Sequence, residues 1–144
     1  MNKTLVILIL AVIVLSWNFV FTSTKKIELT DQARVLQALS QSMQHKLAVI
    51  KYWKEKKSLP DAETWLREGK KIEVDISKSL VKSIEVGVDV PGAVTIYFEN
   101  KETINLKKDI DGTKVVLIPE AKGEKLVWTC NGTIDKEYLP AKCQ

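Results

Sequence analysis

Cysteine, histidine, proline and glycine are scarce in this chain, and their positions exclude several kinds of structure. There are 2 cysteines, 1 histidine, 4 prolines and 6 glycines in 144 residues. Cys130 and Cys143 lack the short spacing of a metal-binding cysteine pair and His45 is the only histidine, which argues against a metal centre. No proline precedes Pro60 and no glycine precedes Gly69, so nothing forces a break in a helix that begins near the N-terminus.

An excess of charge of one sign is also lacking. The chain has 22 Lys and Arg against 18 Asp and Glu, a formal net charge of +4, and the basic residues are scattered along it. This balance excludes the extended phosphate-binding surface of a nucleic-acid-binding protein. A length of 144 residues leaves room for one compact domain and excludes a kinase, a polymerase or a dinucleotide-dependent enzyme of ordinary size.

One long apolar segment is present at the N-terminus, where acidic residues are absent before Glu28. Residues 4–22 are long enough to cross a bilayer, and Trp17 is placed where an interfacial aromatic residue would lie. We therefore expect residues 1–24 to be a transmembrane segment and residues 25–144 a separate globular domain. The alternative is a cleaved secretory signal, with residues 22–24 as a poor cleavage site.

The two cysteines suggest which side of the membrane holds the globular domain. They are either two unrelated buried thiols or a disulfide, and a disulfide suits a chain that opens with an export-type segment. Disulfides persist in the periplasm and outside the cell. We therefore expect a single-pass inner-membrane protein with a cytoplasmic N-terminus and a periplasmic C-terminal domain, Cys130 and Cys143 closing a loop.

The pattern from about Thr30 to Lys57 is helical. Apolar residues recur at spacings of three and four, which predicts one apolar stripe: Leu36, Leu39, Met43, Leu47 and Ile50. We expect one continuous helix from the bilayer into the globular domain, with a bend near residues 23–26 as the alternative.

After a connecting segment with a short helical turn near residues 62–67, the period of the pattern changes to two. Strands are expected near residues 71–76, 84–88, 93–98, 114–118 and 125–130, with turns at Pro91-Gly92, Asp111-Gly112 and Lys122-Gly123. Short connections favour an antiparallel sheet with one apolar face, which the helix stripe can cover. The expected fold class is α+β, with a long N-terminal helix, membrane-spanning in its first half, packed on an antiparallel sheet.

The C-terminal sequence resembles that of the type IV pilins. From Leu126 to Gln144 it contains a Trp-x-Cys strand and closes with Tyr-Leu-Pro-Ala-Lys-Cys-Gln. The helix at residues 33–39 and the segment from Ala93 to Pro119 are also similar to that family, in the same order. The resemblance implies a long helix on a sheet with a C-terminal disulfide loop, and a subunit of a surface filament.

The N-terminus departs from the pilin pattern. Type IV pilins carry a short leader that ends in glycine, a cleavage site before phenylalanine, and a glutamate a few residues into the mature chain. No glycine precedes Gly69, and Ile7 lies where that glutamate is expected. The resemblance therefore implies either a divergent minor subunit or a pilin-like protein that stays in the inner membrane.

No catalytic or cofactor-binding pattern is found. His45, which shares its helix with Ser40 and Ser42, lacks the orienting acid and oxyanion hole of a triad, and we expect it to be solvent-facing or partly packed. We expect a non-enzymatic structural subunit of a type IV pilus or related filament, contributing to fibre assembly and adhesion and contacting other pilins through its helix. The alternatives are an unprocessed inner-membrane accessory protein that binds pilins or the assembly machinery, and an unrelated anchored binding module.

Overall fold

A computed structural model describes residues 30–102, 104 and 106–143 of the chain. The predicted transmembrane segment, residues 1–24, lies outside them, as does the predicted continuation of the helix into the bilayer. None of the helices that the structure describes is long and apolar enough to cross a membrane.

The described chain begins with a helix that has one tightened turn in its middle. The first part is α1 (Asp31–Ser40) and the second is α2 (Met43–Lys56). Between them, the amide of Ser42 donates to the carbonyl of Leu39 at 3.1 Å, three residues back, and the Ser42 hydroxyl donates to the same carbonyl at 2.7 Å. The predicted long helix is therefore present from Asp31 to Lys56, with one irregular turn between α1 and α2.

The boundaries of these helices follow from local hydrogen bonding. The Thr30 hydroxyl accepts from the amide of Ala33 at 3.2 Å and caps the start of α1. Lys57 ends α2 in the left-handed conformation, with φ of 56°, and donates its amide to Trp53. A third helix, α3 (Ala62–Glu68), confirms the predicted helical turn, and the carboxylate of Asp61 caps it.

Four antiparallel strands form the sheet in the order β1-β2-β3-β4, which confirms the predicted antiparallel sheet. The strands are β1 (Val81–Val86), β2 (Val94–Phe98), β3 (Lys114–Lys122) and β4 (Lys125–Gly132). The predicted turn glycines Gly92, Gly112 and Gly123 have positive φ values of 74°, 70° and 61°, which glycine adopts without strain.

The prediction of a strand at residues 71–76 was wrong, because these residues are outside the sheet. Two of their carbonyl oxygens accept side-chain donors instead. The Asp75 carbonyl accepts from the Gln41 amide at 3.3 Å and the Ile76 carbonyl from the Lys101 ammonium at 2.6 Å. The strand expected at residues 84–88 begins and ends earlier, at Val81 and Val86, and Val88 is exposed.

The core is divided into two clusters along the helix. In the first core cluster, α1 packs against β1, β2 and β3 and against the C-terminal residues; its buried members are Val35, Ala38, Leu80, Val81, Ile96, Phe98, Ile110, Val115, Ile134, Tyr138 and Leu139. In the second core cluster, Val49 of α2 packs with Val86 and Val94. The helix thus covers the apolar face of the sheet, as the sequence predicted.

The face of the helix that packs on the sheet differs from the predicted stripe. The buried residues are Val35, Ala38, Ser42, His45, Val49 and Trp53. Of the predicted stripe, Leu36, Met43 and Leu47 are exposed, Leu39 packs at the margin of the first core cluster, and Ile50 is half-buried. The prediction was wrong for the three exposed residues because the buried face includes Ala38, Ser42 and His45. A search for large apolar residues at helical spacing does not detect such small and polar residues.

We expect Val49→Ala to destabilise the chain and Leu47→Ala to leave its stability nearly unchanged. Val49 is fully buried, so the variant loses about 2 kcal/mol from two buried carbon atoms and the cavity they leave. For exposed Leu47 the change should stay within about 0.5 kcal/mol. Urea unfolding of the full chain in detergent measures both, and equal losses would contradict the division into two faces.

His45 is on the buried face of α2, only 7% exposed, so of the two expected placements, solvent-facing or partly packed, the solvent-facing one is wrong. Its Nδ1 atom has no hydrogen-bond partner among the described residues. Burial withholds water from the charged imidazolium and lowers the pKa of His45 below its usual value. His45 is therefore held in its neutral form against the sheet.

The stability of the chain should fall as the pH drops below about 6.5, the ordinary histidine pKa, because the unfolded chain then takes up a proton that folded His45 does not. Above that pH both states are neutral at His45 and this contribution is constant. Urea unfolding at a series of pH values measures the slope. In His45→Gln the slope between pH 6.5 and the lowered folded pKa should be reduced, and an unchanged slope would contradict the assignment.

Candidate functional site: the outer helix face and the disulfide loop

Three exposed apolar residues line one side of the helix away from the sheet. Leu36, Met43 and Leu47 are 39%, 53% and 58% exposed. Their spacings of seven and four residues place them on one face, which we call the outer helix face. Single exposed apolar residues are ordinary on a protein surface, whereas a row along one helix is typical of a contact surface.

The disulfide loop, residues 130–143, occupies the C-terminal end of the chain. Cys130 and Cys143 form the predicted disulfide, with their Cα atoms 4.9 Å apart. Because Cys130 is on β4, the disulfide ties the end of the chain to an edge strand of the sheet.

The inner side of the disulfide loop is buried. Ile134, Tyr138 and Leu139 belong to the first core cluster and are nearly inaccessible to solvent. Burial raises the pKa of the Tyr138 hydroxyl. The loop is therefore part of the globular core on one side, while its polar residues remain exposed on the other: Asn131, Thr133, Asp135, Lys136, Glu137 and Lys142.

A cluster of charges holds the outer side of the disulfide loop to the rest of the domain. The Lys108 ammonium is 2.7 Å from a carboxylate oxygen of Asp135 and 2.7 Å from one of Glu137. These hydrogen bonds raise the pKa of Lys108, and the bond from Lys108 lowers the pKa of Asp135. In a neighbouring contact, the amide of Lys107 donates to the Asp31 carboxylate at 3.1 Å, at the start of α1.

The polar groups near His45 serve the helix rather than chemistry. The hydroxyls of Ser40 and Ser42 donate to the carbonyls of Gln37 and Leu39. Over the part of the chain that the structure describes, no group of three or more His, Cys, Asp or Glu residues could hold a metal ion.

Two features on the sheet side of the helix are not predicted by the sequence. The Lys46 ammonium lies 4.8 Å from the centre of the Trp128 ring, a cation–π contact between α2 and β4. A cavity of about 610 Å³ lies beside β1, with His45 and Trp65 in its wall. The sequence gives no direct sign of that cavity. The alternating pattern of residues 71–76 is typical of a strand, but in the structure these residues pair with no strand among the described residues.

Removal of the disulfide should destabilise the chain by about 2–5 kcal/mol, the usual cost in small exported domains. The change is Cys130→Ser together with Cys143→Ser, so that no free thiol remains. Urea unfolding in detergent measures the loss. Reduction of the unmodified chain is the control and should reproduce it, and an unchanged unfolding midpoint in both would contradict a structural role for the disulfide.

Comparison with known proteins places the chain in a family. The model of the pilin family, whose members form bacterial filaments, matches residues 32–144. No curated protein matches the chain at a significant level. The matched range covers the helix, the sheet and the disulfide loop, and it is most of the chain. The chain therefore belongs to the pilin family of bacterial filament proteins.

Proposed function

We propose that this protein is a non-enzymatic structural subunit of a type IV pilus or a related filament. The observation that carries the proposal is the outer helix face. The helix already covers the sheet with one side, yet Leu36, Met43 and Leu47 keep an apolar row on the other. A second apolar face has no partner within the described domain, and family membership supports a neighbouring subunit's helix as that partner.

The disulfide loop supports a second role, in contacts made by the assembled filament. Its buried side fixes the loop to the domain, and its exposed side presents a mixed set of charged and polar groups. Such a surface is suited to specific polar contacts with another protein that replace hydrogen bonds to water. Fibre assembly through the helix and adhesion through the loop are the functions we assign to these two surfaces.

Before assembly, the proposed location is the inner membrane. Residues 1–24 would form the single span, and residues 25–144 would lie in the periplasm. The apolar character of residues 4–22 and the disulfide in the globular domain support this arrangement. The apolar N-terminal segment would then pass from lipid to the helices of other subunits during assembly.

Leu47→Glu should reduce the amount of the chain incorporated into filaments about tenfold or more. The reason is that burying a charge between apolar helices costs several kcal/mol. The fold should be retained, because the new carboxylate lies one turn before Lys51 on the exposed face of α2. Shearing the filaments from cells, pelleting them and probing for the chain measures incorporation.

Val127→Lys is the matched control. Val127 is a similarly exposed apolar residue, but it lies on β4 opposite Glu120, where an ammonium is accommodated. This variant should enter filaments normally. Equal loss in both variants would contradict a specific role for the outer helix face.

The same fractionation tests the alternative, an inner-membrane accessory protein that binds pilins without being polymerised. That alternative predicts that the unmodified chain stays in the membrane fraction and forms crosslinks to a pilin from Leu36. Recovery of the unmodified chain in sheared filaments would contradict it.

A further inference from the structure

The extended segment between α3 and β1 lies along the free edge of the sheet. We call residues 70–76 the strap. Its residues Ile72, Val74 and Ile76 are half-buried and alternate with exposed charged residues, which is the burial pattern of a strand. β1 is the edge strand next to it, and the backbone pairing of β1 found among the described residues is with β2 alone.

The backbone groups of β1 that point away from β2 are those of Ile84 and Val86. The amide of Gly87 donates to the carbonyl of Ala93, just before β2, at 2.8 Å. Because the hydrogen-bonding direction alternates along a strand, the backbone groups of Val86 and Ile84 point away from β2. The side chains of Ile84 and Val86 lie on the core face of the sheet. Directly opposed residues of antiparallel strands share a face, so the strap residue opposite Ile84 must be apolar and core-facing.

The turn between the strap and β1 sets the register. The amide of Ser79 donates to the carbonyl of Ile76 at 3.2 Å, closing a turn of four residues. Counting from that turn, Val74 lies opposite Val81. A β-bulge in β1 follows between Val81 and Ser83. Beyond the bulge the count places Ile72 opposite Ile84, with both side chains on the core face.

A cavity separates the strap from β1 at the end far from this turn. Its volume is about 610 Å³, and its walls include Ile72 of the strap, Ile84 and Val86 of β1, and His45 and Trp65 beneath. A paired strand lies ~4.8 Å from its neighbour. The cavity, which α3 also borders through Ala62, Trp65 and Leu66, gives the strap open space beside β1.

The strap is held at one end and loosely packed at the other. Gln41 and Lys101 hold the carbonyls of Asp75 and Ile76, beside the turn. At the other end, residues 70–73 also border a second cavity of about 470 Å³, whose opposite wall on α2 includes Leu47 and Lys51. Residues 70–73 therefore have space on both sides, toward β1 and toward α2.

We infer that the strap is a fifth strand of the sheet that swings about residues 75–76 and pairs with β1. Closure places the backbone of Ile72 against that of Ile84 and fills the cavity beside His45. It also moves residues 70–73 away from α2 and widens the second cavity beside Leu47, which is already exposed, for contact with a neighbouring subunit. This last step rests on the proposed function, because the strap then sets how much of the outer helix face a neighbouring subunit can contact.

Trapping by a second disulfide tests closure directly. The change is Ile72→Cys with Ile84→Cys in the full chain, purified in detergent and mildly oxidised, with the native disulfide intact. The control is Ile72→Cys with Glu85→Cys, because neighbouring residues of a strand point to opposite faces and thiols that point apart cannot be bridged. We expect the first pair to crosslink at least about tenfold more than the control, read by non-reducing peptide mapping. Equal yields overturn closure.

Proline variants test the link to assembly. In the closed register the Val74 amide points to β1 and the Glu73 amide points away, so Val74→Pro prevents pairing and Glu73→Pro allows it. We expect incorporation of Val74→Pro into sheared filaments to fall about tenfold below that of Glu73→Pro, within the range of ordinary coupling between sites. Val74→Ala controls for the lost side chain and should incorporate normally.

The outcomes separate the inference from the proposed function. Equal incorporation of the two proline variants overturns the link between closure and assembly. Absence of the unmodified chain from filaments overturns the proposed function and that link with it, while the trapping yields still decide whether the strap closes.

Discussion

The structure depends on burial of one face of a four-stranded antiparallel sheet. Ile96 and Phe98 of β2 and Val115 of β3 would face water without a cover, and the helix formed by α1 and α2 provides it. The helix is not held by an apolar stripe alone. Ala38 and His45 also lie on its buried face.

Because the sheet occupies only one side of the helix, the other side remains available. Leu36, Met43 and Leu47 are exposed there. The exposed polar groups of the disulfide loop form a second surface. The fold therefore separates a surface suited to helix contacts from a surface of exposed polar groups. That separation is consistent with the repeated use of one subunit in a filament, where each copy contacts others through the same surfaces.

Much of the fold could be predicted from the sequence. Period-two alternation located β2, β3 and β4, the turn glycines located the connections, and the pairing of Cys130 with Cys143 followed from the export-type segment. The helix was predicted, but its buried face was not. Periodicity finds where large apolar residues recur, whereas the buried face of this helix includes Ala38, Ser42 and His45.

The strap shows a second reason for failure. Its alternating pattern predicts a strand, and the prediction was wrong because residues 71–76 are outside the sheet. Side chains from elsewhere in the chain, Gln41 and Lys101, take up the backbone carbonyls at one end of the strap. Such tertiary hydrogen bonds leave no local signal in the sequence.

We expect one side of the helix to bind the sheet and the other to bind a neighbouring subunit. Photocrosslinking in intact cells from position 47 and from position 49 distinguishes the two sides, because these positions lie on opposite faces of α2. Adducts to another pilin are expected from position 47 and none from position 49. Intermolecular adducts from position 49, or from both positions equally, would contradict it.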